Sequence, residues 1–200
     1  MDSTAKKIAA RIEAAKPRTI FFTEDFRDMG QAEAVKSALH RLVQRGIIHR
    51  LARGIYVKPA YFELINKEVV PSIEQIARAI ARRDKVRMMP SGEYALNLLG
   101  LSTQVPVKII YLTDGSPRTI QIAGRQIIFK RTSPRNLSYR GRISALAVQA
   151  LKAIGRHHVT RQDKDIILKK LTGEDYHNLK HDIKIAPQWI AEILNQAIKK

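Results

Sequence analysis

Basic and polar side chains recur at helical spacing between residues 31 and 45, and side chains of these types can bind nucleic acid. Arginine and lysine donate hydrogen bonds to phosphate oxygens, and arginine and glutamine also reach base edges. If the apolar residues face a core, these polar residues face solvent: Gln31, Glu33, Lys36, Ser37, His40, Arg41, Gln44 and Arg45. We expect base or base-proximal contacts from Gln31, Lys36, Ser37 and Arg41, and backbone contacts from His40 and Gln44.

A short basic segment follows that helix and carries His49, Arg50 and Arg53. These residues lie on and between two β-branched runs, so we expect them to enter a minor groove or to clamp phosphate. A polar helix face can also be simply solvated. The arginines of the segment and the net charge of the chain favour DNA binding over that alternative.

Two dense basic stretches lie in the part of the chain that follows residue 70. The first comprises Arg78, Arg82, Arg83, Lys85 and Arg87, and the second comprises Lys130, Arg131, Arg135, Arg140 and Arg142. Residues 71–140 hold 12 basic and 4 acidic residues, so few carboxylates are available to balance them. These stretches could extend a DNA footprint, bind RNA or meet an acidic protein partner, and a solvated surface is the alternative.

Several sequence features resemble parts of catalytic sites without completing one. The Asp114-Gly115-Ser116 segment lacks a nearby Asp-x-Asp pair and is typical of a hairpin turn. His157 and His158 are adjacent, so in a helix they would point about 100° apart and could not share a metal. Gly-rich phosphate loops and nucleophile elbows are also absent from the sequence. We therefore expect no catalytic residues, no metal site, no cofactor and no enzymatic activity.

Local signals in the first sixty residues predict the elements that would position the basic side chains. Ser3 is a candidate cap for a first helix, Ile20–Phe22 is β-rich, and Gly30 closes a brief second helix that begins near Thr23. A third helix is expected over Gln31–Arg45, followed by strands at Ile47–Leu51 and Ile55–Val57 around a glycine turn. This order predicts a winged helix-turn-helix.

The remainder of the chain predicts a second, mixed domain. Helices are expected near Ser72–Arg83 and Glu93–Leu99, and strands over Val107–Leu112, Thr119–Ile122 and Gln126–Lys130. Further helices are expected near Arg142–Ile154, Arg161–Leu171, Glu174–Asp182 and Pro187–Lys199. The predicted fold class is α+β, with an N-terminal winged helix, a small antiparallel sheet and C-terminal helices. We place the DNA-binding domain at residues 1–65 and the second domain at residues 70–200.

Composition narrows the class of partner. The chain has 36 Lys and Arg against 18 Asp and Glu, which gives a net charge of +18. That excess favours polyanions, first nucleic acid or an acidic protein and only then an acidic membrane surface. Cysteine is absent from the sequence, and neither a signal peptide nor a bilayer-spanning apolar run is evident. We expect a cytoplasmic protein with no membrane partner.

The amino-acid sequence of the hairpin region resembles that of a known family. The chain is similar to the AbiE-type (AbiEi-like) antitoxins of bacterial abortive-infection toxin–antitoxin systems. The resemblance covers the whole architecture, but its recognisable motifs lie between about Ala38 and Pro59. They are Leu39-x-x-Leu42, Gly46-Ile47-Ile48 and Leu51-Ala52-Arg53-Gly54-Ile55-Tyr56.

The resemblance implies two roles in phage defence. The winged helix would bind inverted repeats of double-stranded DNA in its own promoter and repress its operon. It would do so as a homodimer or as cooperating monomers, while the second domain would counter a nucleotidyltransferase-like toxin of a type IV-like system. Two alternatives remain: a stand-alone winged-helix regulator whose second domain senses a ligand or partner, and an RNA-binding protein.

Overall fold

The computed structural model describes residues 3–62 and 67–198, which form mixed α+β structure as the sequence predicts. The chain divides into two compact units, Met1–Ile80 and Ala81–Lys200. The predicted end of the DNA-binding domain, residue 65, lies outside the described residues, so that boundary remains a prediction. Among the described helices, none combines the length and apolar character needed to cross a bilayer.

The first unit is built around a three-stranded antiparallel sheet in the order β1-β3-β2. Its elements are α1 (Thr4–Ala14), β1 (Ile20–Phe22), a 3₁₀ helix (Thr23–Met29), α2 (Ala32–Gln44), β2 (His49–Ala52), β3 (Ile55–Val57), β4 (Ala60–Phe62), β5 (Lys67–Val69) and most of α3 (Ile73–Asp84). Strands β4 and β5 form a separate hairpin that the sequence analysis did not predict. The order from α1 to β3 is compatible with the predicted winged helix-turn-helix.

The core of the first unit joins one face of α1 to one face of α2. Ile8 and Ile12 are one turn apart on α1 and are fully buried, as are Phe26 of the 3₁₀ helix and Leu39 of α2. The predicted cap of α1 is confirmed, because the Ser3 hydroxyl accepts a hydrogen bond from a backbone N–H of the first turn. This apolar stripe fixes which face of α2 turns toward solvent.

The end of α2 determines where β2 begins. Gly46 has a φ of 70°, the left-handed region that glycine tolerates best. The N–H of Gly46 donates to the carbonyl of Val43, and the N–H of Ile47 donates to the carbonyl of Leu42, both at 3.0 Å. These two bonds form a Schellman motif, which stops the helix and turns the chain into the hairpin.

The second unit combines a four-stranded sheet with helices. After α3 come β6 (Met88–Ser91), α4 (Glu93–Leu99), β7 (Lys108–Thr113), β8 (Arg118–Ile122), β9 (Arg125–Arg131), a 3₁₀ helix (Pro134–Leu137), α5 (Arg142–Ile154), α6 (Arg161–Leu171), α7 (Tyr176–Ile185), α8 (Gln188–Leu194) and a last 3₁₀ turn (Asn195–Ala197). The sheet order is β6-β7-β9-β8, with β7 and β9 parallel and the other pairs antiparallel.

Two features of this sheet differ from the prediction. Strand β6 contains Pro90 and no β-branched run, so no sequence signal marked it; it lies at a sheet edge, where proline is tolerated. The predicted hairpin turn at Asp114–Pro117 is wrong, because β9 lies between the two strands that the turn connects. The true hairpin is β8 to β9, joined by Ala123 and Gly124.

Helix α5 is the centre of the second unit. Every residue from Ser144 to Leu151 is buried, and the helix contacts β6, α4, α6, α7 and α8. Its N-terminus is capped by Asp182 of α7, a fully buried residue whose carboxylate accepts the N–H groups of Arg140 and Gly141 and the hydroxyl of Ser144. The cap satisfies backbone donors that the start of a buried helix would otherwise leave unpaired.

Glu174 completes this cap from the segment before α7. Its Oε2 accepts the backbone N–H groups of Ile143 at 2.5 Å and of Ser144 at 3.1 Å. Negative charge at a helix N-terminus is also stabilised by the helix dipole. Two carboxylates that are close in sequence therefore tie α7 and the segment before it to α5.

The end of α3 holds a strained residue and gives a first testable prediction. Lys85 has a φ of 55°, a conformation that a side chain disfavours. Because relief of this strain exceeds the entropic cost of glycine, Lys85→Gly should raise the free energy of unfolding by about 0.5 kcal/mol. Arg82→Gly, inside the same helix, is the control and should lower it by about 1 kcal/mol. Urea denaturation measures both, and a loss of stability in Lys85→Gly would contradict the argument.

Candidate nucleic-acid interface

Helix α2 has one buried face and one exposed face. Its buried residues are Val35, Ala38, Leu39 and Leu42. Since successive helical residues turn by about 100°, Ser37, His40 and Gln44 lie opposite this stripe, with Lys36 and Arg41 on either side. All eight side chains predicted to face solvent from this helix are exposed: Gln31, Glu33, Lys36, Ser37, His40, Arg41, Gln44 and Arg45.

The hairpin of β2 and β3 carries the other candidate residues of the first unit. Ala52 pairs with Ile55, so Arg53 and Gly54 form the turn, and Gly54 takes a φ of 73° there. The register shifts between Arg50 and Ala52, as in a β-bulge. Arg50 and Arg53 are both exposed. We call the whole set the α2–wing surface: Gln31, Lys36, Ser37, His40, Arg41, Gln44, Arg45, His49, Arg50 and Arg53.

Three arginines of the α2–wing surface are available to an anionic partner. Within residues 3–62 and 67–198, no salt bridge involves Arg41, Arg45 or Arg53. Lys36 does pair with Glu33, at 2.7 Å, with the two side chains 60% and 83% exposed. An exposed pair of this kind stabilises a helix by less than about 1 kcal/mol, so DNA phosphate can displace it at little cost.

His49 lies in a different environment from the one its sequence position indicated. Its Nε2 is 2.7 Å from Oε2 of Glu68, on β5, and the side chain is 38% exposed. A phosphate contact from His49 would have to replace this bond. Glu68 carries no signal of this contact in the sequence, because it lies nineteen positions from His49 and nothing in the local pattern links the two.

The first basic stretch, residues 78–87, is largely paired with carboxylates. Arg78 bonds Glu74 at 2.7 Å, Arg83 bonds Asp84 at 2.8 Å, and Arg87 bonds Asp114 at 2.8 Å. The hydrogen bond from Arg87 lowers the pKa of the Asp114 carboxyl below its usual value. Arg82 and Lys85 are exposed. The carboxylates that balance this stretch thus come from helical neighbours and from a distant turn.

The second basic stretch is more exposed. Lys130, Arg131, Arg135, Arg140 and Arg142 are all exposed, and none forms an ion pair with the part of the chain that the structure describes. Lys152, which the sequence analysis did not single out, belongs to the same surroundings: burial, and then the charge of Arg135, lower the pKa of its ammonium group. Its Nζ donates to Asn136 at 3.0 Å.

Two acidic residues near the C-terminus cap helices, and two adjacent histidines lie in a turn. Asp163 forms a capping box with Thr160 at the start of α6, and Asp175 accepts the N–H of Asn178 at the start of α7. His157 and His158 are exposed residues of a turn. Over residues 3–62 and 67–198, no group of three or more acidic or histidine side chains is arranged to hold a metal ion.

Comparison with known proteins adds one result. Residues 7–179 match the model of the family described as "Family of unknown function (DUF6088)". The chain therefore belongs to the DUF6088 family. The match extends over most of both units, so the combination of the two is a property of the family. A comparison with curated proteins finds no match.

Proposed function

We propose that this DUF6088 protein is a cytoplasmic promoter-binding repressor that acts as the antitoxin of a toxin–antitoxin pair. The observation that carries the DNA-binding role is the α2–wing surface. It presents Arg41 and Arg45 on the exposed side and at the end of a helix whose opposite face is buried, and Arg53 in the β2–β3 turn, all three without an ion pair to the described chain. Exposed arginines beside polar side chains able to read base edges are the combination that duplex recognition requires.

The expected binding mode follows from the arrangement of the first unit. We expect α2 to lie in the major groove, with Ser37, His40 and Arg41 facing the DNA, and the Arg50–Arg53 turn to approach the neighbouring groove or its phosphates. Two copies would occupy an inverted repeat. Because most of the affinity would come from phosphate contacts, binding should weaken steeply as salt rises.

A competition assay separates DNA binding from RNA binding. The full-length chain is mixed with a labelled duplex from its own upstream region and challenged with unlabelled promoter duplex, unrelated duplex or hairpin RNA of equal length. We expect the promoter duplex to compete best. Stronger competition by the hairpin RNA would replace the DNA proposal with the RNA alternative.

The antitoxin role rests on the resemblance to AbiE-type antitoxins, and it is tested by growth. The chain is co-expressed with the neighbouring reading frame, which alone should arrest growth. Rescue is expected both from the wild-type chain and from Arg41→Ala plus Arg53→Ala, because neutralisation is assigned to the second unit. Failure of the wild-type chain to rescue would remove the antitoxin role and leave the DNA-binding role intact.

One observation favours the second candidate, a stand-alone regulator with a sensing second unit. The second unit contains a pocket of about 310 Å³ beside Arg118. A regulator of this kind would lack a growth-arresting neighbour, and its DNA affinity would change when the pocket is filled. Two experiments distinguish the candidates. The adjacent reading frame is sequenced and tested for growth arrest, and the DNA titration is repeated with the pocket filled by a ligand.

A further inference from the structure

The pocket beside Arg118 is bounded by residues from three parts of the second unit. Asp84 and Val86 come from the end of α3 and the segment after it, Ser116 from the turn before β8, and Phe129 from β9. Its volume, about 310 Å³, exceeds that of a bare ion and is close to the lower limit for small-molecule sites. The pocket thus has room for a small organic ligand.

Arg118 is held in place but incompletely bonded. Its guanidinium carbon lies 5.2 Å from the centre of the Phe129 ring, and it forms a close ion pair with Asp84. Its Nε is buried and has no hydrogen-bond partner in the described chain. A buried donor of this kind is stabilised when an acceptor reaches it.

The pocket lining carries one cation, Arg118, and one carboxylate, Asp84. Asp114 is bonded to Arg87, and Asp84 is shared between Arg83 and Arg118. Burial, and then the charge of Arg83, lower the pKa of the Arg118 guanidinium, so the cation lacks full solvation or compensation. If an anion took over Arg118, Asp84 would still keep its 2.8 Å bond to Arg83.

We propose that this pocket binds a small phosphate-bearing molecule. One phosphate oxygen would accept the Nε–H of Arg118 once the side chain turns out of its pair with Asp84, and another would accept the hydroxyl of Ser116, an exposed residue of the lining. The carbon part of the ligand would pack on Val86. All of these residues belong to the second unit, so the site stands independently of DNA binding by the first.

The test titrates the full chain with inorganic phosphate, AMP and uncharged adenosine, followed by backbone amide NMR shifts. We expect saturable shifts at residues 84–86 and 113–118 with phosphate or AMP, and none with adenosine. Saturation by inorganic phosphate but not by AMP would identify the free phosphate ion as the ligand. Saturation by AMP at a lower concentration than phosphate would identify a phosphate ester as the ligand. Failure of both phosphate and AMP to saturate, or saturation by adenosine, would overturn the proposal.

Variants keep the test specific. Arg118→Gln should weaken binding at least about tenfold, because it removes the cation and the Nε–H donor. Arg125→Gln removes an exposed arginine from the same β8–β9 hairpin and should change affinity less than about twofold. Equal weakening by both would reject the site. Ser116→Tyr is a second variant, which should fill the pocket without altering its charge and so should abolish binding. It replaces Arg118→Gln as the test if that variant does not fold, and binding that persists in Ser116→Tyr would overturn the proposal.

Discussion

Replacement of Arg41 and Arg53 together by alanine should weaken binding to the upstream promoter duplex about a hundredfold. In the proposed binding mode each arginine would contribute a charge-assisted hydrogen bond to DNA, worth at least about 1.4 kcal/mol or a factor of ten. Both side chains are exposed, so the substitutions remove no core contact. Fluorescence anisotropy with the labelled promoter duplex measures the change.

Salt dependence makes this prediction sharper. Each phosphate contact contributes about 0.9 to the slope of log affinity against log salt concentration. Arg53 is expected at a phosphate and Arg41 at a base edge, so loss of both should reduce the slope by about one, whereas loss of two phosphate contacts would reduce it by about two. The same titrations at several salt concentrations provide the slope.

A charge-matched variant is the control. Lys6→Ala plus Lys16→Ala removes the same formal charge from α1 and the segment after it, where both lysines are exposed. We expect this control to weaken binding less than about threefold, through the general field of the chain. Equal losses in the two double variants would mean that net charge, and not the α2–wing surface, drives binding. Unchanged binding after the arginine substitutions would reject the surface.

Removal of the Asp182 carboxylate should be the most damaging single substitution for the second unit. Asp182→Ala would leave the N–H groups of Arg140 and Gly141 and the hydroxyl of Ser144 without their acceptor at the start of a buried helix. Hydrogen bonds to a charged group contribute about 1.5 to 3 kcal/mol each, and they are not fully additive. We expect the free energy of unfolding to fall by about 4 kcal/mol, as measured by chemical denaturation.

Asp175 provides a control with the same chemistry on the surface. Its carboxylate caps α7 by accepting one N–H, and the residue is exposed. Asp175→Ala should cost about 1 kcal/mol, the usual effect of losing an exposed cap. Similar losses at positions 175 and 182 would show that burial adds nothing to the α5 cap. Asp182→Asn keeps an acceptor but not the charge, so its loss should fall between the two.

Local signals were sufficient for much of the fold. Helix α2 runs from Ala32 to Gln44 with Gln31 and Arg45 as its end residues, which agrees with the predicted span, and α5 and α6 also begin and end as predicted or nearly so. Apolar periodicity and capping residues act within a few turns, so they can be read without the tertiary structure. The exposed face of α2 follows from the same periodicity.

Strand pairings and ion pairs between segments far apart in the sequence could not be predicted from local sequence patterns. Strand β6 forms because β7 offers it an edge, and its own residues carry little β preference. The parallel pairing of β7 with β9 depends on the path of the chain across the sheet, and it overturned the hairpin predicted at Asp114–Pro117. The bond between His49 and Glu68 likewise joins two separate hairpins.

The sequence by itself determined the basic character of the chain, the main helices and which side chains of α2 face solvent, because charge and helical period are local properties. Only the tertiary structure decided which basic side chains form ion pairs with a carboxylate and which do not. It brings Asp114 to Arg87 and Asp84 to Arg118, and it buries Asp182 at the start of α5. The physical reason is that neutralisation and burial depend on distances in space, which chain separation does not predict.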